Sequence, residues 1–177
     1  MWSIGTMNRR TSALTCVLAL WACVVGSAAR AAEPIRIAVF DLEFEDRSAN
    51  ILGPDERDVE YQRQTVDEAR RMLAASGRYA VLDTAPVADE MRAAGGPLHC
   101  NGCEAPLALK LGADQAMVGL LTRVSRTEYT LQLVVRDART GAMVSQGFTG
   151  LRMGANYSWP RGMKWLMTNR ILPALAE

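Results

Sequence analysis

An export leader at the amino terminus constrains this chain more than any other feature, because it sets the redox environment and fixes which residues have to build a core. Arg9 and Arg10 give a basic start, Ala13 to Val25 is an apolar run, and small residues follow. That order is the pattern of a secretory signal. Ala29 and Ala31 form the small-x-small pair that signal peptidase accepts, so the sequence predicts a cut after Ala31, with residues 1–31 discarded and residues 32–177 forming one domain. A retained anchor needs about 20 unbroken apolar residues, and this run is interrupted by Thr15 and Gly26. Two other readings of the leader fit less well. A lipoprotein acylated at Cys23 would place Trp21 where a small residue is usual. Twin-arginine export would want apolar residues where Thr11 and Ser12 stand.

Loss of the leader changes the composition that matters. Of the 20 basic residues Arg9, Arg10 and Arg30 go, leaving 17 against 19 acidic ones, a formal charge of −2. The remaining arginines are scattered, so no stretch offers the massed positive charge that binds nucleic acid or an anionic membrane surface. With 49% hydrophobic residues there is enough apolar material for one core. The expected location is periplasmic or secreted.

Ile35 to Leu42 is β-rich and apolar on both faces beyond Arg36, as in a central strand covered on two sides. Glu43 to Glu60 is rich in Asp, Glu, Asn, Ser, Gly and Pro and predicts a long exposed loop. Helical spacing of Val66, Ala69 and Leu73 predicts a helix over Tyr61–Ala75, stopped by Gly77, and Tyr79–Asp83 reads as a strand parallel to the first. Two helices, Pro86–Ala94 and Glu104–Leu111, flank the turn His99-Cys100-Asn101-Gly102-Cys103. Three strands follow over Ala116–Ser125, Glu128–Asp137 and Ala142–Thr149, and a last helix buries Trp159, Met163, Leu166, Met167 and Ile171. The expected fold class is α/β: a single three-layer domain with a mixed sheet, in the order β-α-β-α-α-β-β-β-α, ending its sheet in an antiparallel meander.

Gly112-Ala113-Asp114-Gln115-Ala116-Met117-Val118-Gly119, with the hairpin Arg136-Asp137-Ala138-Arg139-Thr140-Gly141, resembles the amino-terminal domain of the Tol-Pal translocation protein and the related fold of curli-secretion lipoproteins. In that group a helix ends in Leu-Gly-Ala-Asp, a strand ends its first half in Gly, and the hairpin turn reads Asp-x-x-Thr-Gly. Over nearly the whole mature chain, Ala38-Val39-Phe40-Asp41, Cys-Asn-Gly-Cys-Glu and the Trp159 to Trp165 segment are similar to a family of secreted bacterial proteins of unknown function. The resemblance implies assembly with an envelope protein partner. It also implies a link to periplasmic quinoprotein alcohol oxidation, near whose genes some members lie.

Several chemistries are excluded by residue type. His99 is the only histidine, which removes Ser-His-Asp and Cys-His catalysis, and no phosphate-cradling glycine loop or His-Glu-x-x-His occurs. Covalent haem would need His where Glu104 follows the second cysteine. After cleavage only Cys100 and Cys103 remain, and three readings stay open. The first is a structural disulfide in an oxidising compartment. The second is a thiol-disulfide oxidoreductase or redox sensor, since a Cys-x-x-Cys pair at a helix start favours a reactive thiolate. The third is a metal site of His99, Cys100, Cys103 and Glu104, with Met91 as another candidate ligand. The acids Asp41, Glu43, Glu45, Asp46, Asp55, Glu56 and Asp58 can in principle hold a hard cation but lack EF-hand spacing.

No cofactor is called for. The function expected is a non-enzymatic accessory or binding module that recognises its partner through a sheet edge or the Glu43–Glu60 loop, with Asp41, Glu43, Tyr157 and Trp165 as candidate contacts. If the leader reading is right, the protein recovered from a periplasmic fraction starts at Ala32. Intact-mass measurement showing residues 1–31 still attached would overturn it.

Overall fold

Ile35–Val39 forms strand β1, and after a short detour through Phe40, Asp41 and Leu42 the chain resumes as β2, Glu43–Asp46. This is seen in a computed structural model, which describes residues 33–49, 56–97, 99–125, 127–152 and 159–175. Both strands run parallel to one neighbour, β4 (Gln115–Arg123). β1 pairs with Gln115, Ala116 and Met117, and β2 with Leu120 to Arg123. Phe40 N bridges the detour by donating to Met117 O at 3.0 Å.

Part of the expected Glu43–Glu60 loop is therefore strand, and the first helix, α1 (Glu56–Ala75), begins before Tyr61. The acidic composition masked a two-residue alternation. Strand geometry sends Phe44 and Asp46 to one face and Glu43 and Glu45 to the other, and Phe44 packs against the main core. Glu56 and Asp58 lie in the first turn of α1, where negative charge meets the positive end of the helix dipole. Val66, Ala69 and Leu73 are buried, while outward-facing Arg63 pairs with Glu60 and Asp67. Gly77, at φ 70°, turns the chain out of the helix into β3 (Tyr79–Leu82), which is parallel to β1 as expected.

A 3-10 turn at Ala85–Val87 leads into α2 (Ala88–Ala93), and α3 (Glu104–Lys110) leads into β4. β5 (Glu128–Asp137) and β6 (Met143–Arg152) complete the antiparallel meander, giving the sheet order β3-β1-β4-β5-β6 with β2 alongside β4. α4 (Trp159–Leu166) continues through a π turn at Met167–Ile171. The domain is a three-layer α/β fold, as the periodicities predict, with β2 as an added strand. One face of the sheet carries α1 and α4 around Ile37, Val39, Leu131, Leu133, Val135 and Trp159. The other carries α2 and α3 around Ala38, Phe40, Val87, Met91 and Ala108.

The residues that carried the family resemblance are junctions of this sheet. Asp114 accepts from Arg36 N at 3.1 Å, Arg36 Nε at 3.1 Å and Arg36 Nη2 at 2.8 Å, tying the start of β4 to β1. Asp137 Oδ1 accepts from Arg139 N, Thr140 N and Thr140 Oγ1, and Gly141 takes φ 69°, closing the β5–β6 hairpin. At Gly119 a Cβ would stand 2.7 Å from Leu133 Cδ2 and closer still to Leu42, so a larger residue would have to push both side chains aside beneath the detour after β1.

The Arg36 hydrogen bonds, with its charge, hold the Asp114 carboxyl down from the ordinary 3.8 to about 2. A carboxylate with a depressed folded value stabilises the fold fully above its unfolded value and loses that contribution as pH falls through the folded one. Asp114→Asn should therefore cost about 0.5–1 kcal/mol at pH 7, and its thermal midpoint should converge with that of the parent as pH falls from about 4 to about 2. A gap that persists at pH 2 in melting curves would contradict this account.

Candidate functional site

Open α/β sheets bind ligands beyond the carboxyl ends of their strands, at the place where successive connections leave for opposite faces. Here that place is the end of β1: α1 departs over one face toward β3, and α2 and α3 return over the other toward β4. Phe40 to Asp46 runs across it, because the detour and β2 pack directly against β4. What remains is a shallow depression between β1 and β3 lined by Asp41, Arg70, Asp83 and Thr84. Arg70 Nη2 caps it from α1, donating to Val39 O and to Asp41 Oδ1, each at 2.9 Å.

The cysteine turn lies over the α2 and α3 face. Gly95 and Gly96, at φ 92° and 89°, reverse the chain after α2. Asn101 and Gly102 also take positive φ, at 52° and 99°, and bring Cys103 back to Cys100, with which it forms a disulfide. Both cysteines pack against the Ala38, Phe40 and Met91 cluster. Cys103 N donates to Cys100 Sγ at 3.2 Å, and Met91 Sδ lies 3.6 Å from Cys103 Sγ. Glu104 is only 2% exposed. Its Oε1 stands 2.8 Å from Arg136 Nε, an ion pair by distance whose N–H does not point at the oxygen.

Of the four residues expected as metal ligands, the structure gathers Cys100, Cys103 and Glu104, whose ligand atoms lie within 4.8 Å of one another. His99 is outside this group, with Nε2 placed 2.9 Å from Glu43 Oε1 instead. The Glu104 carboxylate lies beside the sulfurs, with Oε2 4.0 Å from Cys100 Sγ.

A buried polar cluster at the far end of β4 was not foreseen. Arg123 is 7% exposed, yet its guanidinium pairs with Asp46 of β2 at 2.9 Å and with Asp58 of α1, and Nε donates to Tyr129 Oη of β5 at 2.9 Å. It also stands over the rings of Phe44, at 5.1 Å, and Tyr129, at 5.5 Å. Trp159 completes the group, with ring centroids 6.0 Å from Phe44 and 5.1 Å from Tyr129. Burial pushes the Arg123 guanidinium down, but its hydrogen bonds with Tyr129 and Asp58 outweigh this and raise it. Hydrogen bonds from Ser48, with help from Arg123, hold Asp46 below the usual carboxylate range despite the opposing effect of burial. Of the acids read as a possible hard-cation set, Asp46 and Asp58 pair with Arg123, Glu45 with Arg47 and Asp41 with Arg70. Glu43 turns toward His99, Glu56 lies in the first turn of α1, and Asp55 lies outside the described residues. The one available signal was an arginine, Arg123, at an inward position of an otherwise apolar strand.

Of the four residues expected at a partner surface, three are described. Asp41 is exposed beside Arg70, Glu43 turns toward His99, Trp165 is exposed on α4, and Tyr157 lies outside the described residues. The larger exposed feature is β6. It is a ten-residue edge strand whose outer side no strand pairs among the described residues, and it bears exposed Met143, Val144 and Phe148.

This geometry defines a small α/β module whose sheet carries helices on both faces, with a depression beside Asp41 and Arg70 and a long edge strand, β6, whose outer side no strand pairs among the described residues. The chain belongs to the DUF3280 family, described as a protein of unknown function (DUF2380), which matches residues 35–171. No curated protein matches the sequence. Among solved structures it is similar to lipoprotein GNA1162 from Neisseria meningitidis, at 19% identity and TM-score 0.51, over 81% of this chain and 98% of that one. It is also similar to the LpoB C-terminal domain from Salmonella enterica, at 12% identity and TM-score 0.48, over 67% and 83% of the two chains. TolB from Acinetobacter baumannii matches 81% of this chain and 28% of its own length, at 13% identity and TM-score 0.44. No helix among the described residues is long and apolar enough to cross a membrane.

Removing one member of a buried charge group strands its partners. Arg123→Ala should accordingly cost about 3–5 kcal/mol of stability, read as a lowered denaturant midpoint, and a loss below about 1 kcal/mol, the scale of exposed ion pairs, would show the cluster to be solvated.

Proposed function

We propose that this protein is an exported, non-enzymatic accessory module of the bacterial envelope that docks a protein partner along β6. The observation that carries the reading is the edge itself. A ten-residue edge strand whose outer side no strand pairs among the described residues, with exposed Val144 and Phe148, is a template for strand addition. The opposite edge, β3, has only four residues. The leader supports export, and the fold is shared with lipoprotein GNA1162.

A photo-crosslinking residue placed at Phe148 in the living cell should capture an envelope protein, whereas the same residue at Arg92, exposed on α2, should not. The double variant Val144→Lys, Phe148→Glu should abolish that capture while leaving the melting curve within about 2 °C of the parent, as exposed substitutions generally do. Capture that survives both charges would remove β6 from the reading.

A further inference from the structure

We propose that the Cys100–Cys103 turn is a closed form of a soft-metal site, and that reduction of its disulfide creates a cuprous-ion site of three sulfurs, from Cys100, Cys103 and Met91. This is independent of partner docking at β6, which lies on a different part of the sheet. The placement of Met91 carries the inference. It is 7% exposed on α2, and its thioether sulfur stands 3.6 Å from Cys103 Sγ rather than turning away among the aliphatic side chains. Ligand sulfurs about 2.3 Å from a common ion lie about 4 Å apart, so Met91 and Cys103 are already at ligand spacing. The Gly95-Gly96 reversal holds α2 and the cysteine turn together, with Gly96 N donating to Met91 O at 3.0 Å and Cys100 N to Gly96 O at 3.1 Å. Cys103 N, 3.2 Å from Cys100 Sγ, is a ready donor to a thiolate there.

Donor chemistry selects the ion. Two thiolates and a thioether are soft ligands, and a thioether favours monovalent copper over zinc, magnesium or calcium. The nearest hard donor, Glu104, has Oε1 2.8 Å from Arg136 Nε and Oε2 4.0 Å from Cys100 Sγ, and a carboxylate oxygen suits a cuprous ion less well than a thioether does. His99, the nitrogen ligand suggested by sequence order, is held at Glu43 and stays outside the site. The surrounding Ala38, Phe40, Val87 and Ala108 provide an apolar shell that limits water and so slows oxidation of the bound ion.

The chemistry balances with an external dithiol as reductant. Two electrons and two protons pass from the dithiol, which becomes a disulfide, to the Cys100–Cys103 bond, which opens to two thiols. Binding of one cuprous ion then releases both protons as the sulfurs become thiolates. In the oxidised protein neither sulfur carries the charge that binding needs, so the site is gated by redox state.

The test uses the full chain with Cys16→Ser and Cys23→Ser, so that only this pair is counted. The protein is reduced with a phosphine, which is then removed, and titrated anaerobically with cuprous ion against a chromophoric copper chelator. One ion per reduced chain is expected, with none held by the oxidised chain. Met91→Leu, close in shape, should weaken binding at least tenfold, while His99→Ala should leave it unchanged. X-ray absorption of the loaded protein should show three sulfur neighbours and no nitrogen. Equal binding by reduced and oxidised chains, or by Met91→Leu and the parent, would overturn the proposal, as would a nitrogen ligand lost in His99→Ala. Circular dichroism of each variant separates lost binding from lost fold. A Met91→Leu chain that unfolds leaves the absorption spectrum of the parent to decide.

Discussion

A buried guanidinium organises the half of this domain that the rest of the fold leans on. Arg123 reaches β2 through Asp46, α1 through Asp58 and β5 through Tyr129, so a single side chain of β4 fixes four elements. Burying a charge is costly unless it is paired and hydrogen-bonded, and here both conditions are met by residues drawn from distant parts of the chain. Phe44, Tyr129 and Trp159 close over the group and bring α4 to the same point. β2 owes its place to this cluster. Without Asp46 to pair and Phe44 to pack, the acidic segment after β1 would have little reason to leave water.

β2 in turn shapes one end of the sheet. A doubly wound sheet ordinarily offers a crevice where its connections diverge, and here Phe40 to Asp46 narrow it to the depression beside Asp41 and Arg70. The docking edge and the metal site proposed for this protein are β6 and the cysteine turn. Gly147 serves the first of these. A Cβ there would meet Leu166 at 2.8 Å, so its absence lets α4 lie close on β6 and cover one side of the strand while the outer edge stays free.

Periodicity made most of the architecture legible. The alternation of Tyr129, Leu131, Leu133 and Val135 and the helical spacing of Trp159, Met163 and Leu166 each bury the residues they predict. Reading failed where charge and burial coincide, which local pattern cannot express. Asp46 and Asp58 look like solvated loop residues until an arginine 65 positions beyond Asp58 is brought against them. The disulfide was one of three readings that the spacing of Cys100 and Cys103 left open, and it is the one the structure forms. Its neighbour Met91 was visible only as a candidate by order along the chain, because the two glycines that fold α2 back toward the turn act through backbone angles rather than through any side-chain signal. The partner-surface residues were chosen by type, and type does not reveal that Glu43 faces His99.

The sheet is also assembled out of chain order. β1 and β2 find hydrogen-bonding partners in β3 and β4, and the contact of Arg36 with Asp114 spans 78 positions. The meander of β4, β5 and β6, by contrast, closes through short local hairpins, which form early because little chain entropy opposes them. A polypeptide that emerges amino end first therefore presents strands whose template has yet to be made. β2, which pairs only with β4 among the described residues, cannot take its place until residue 123 is available.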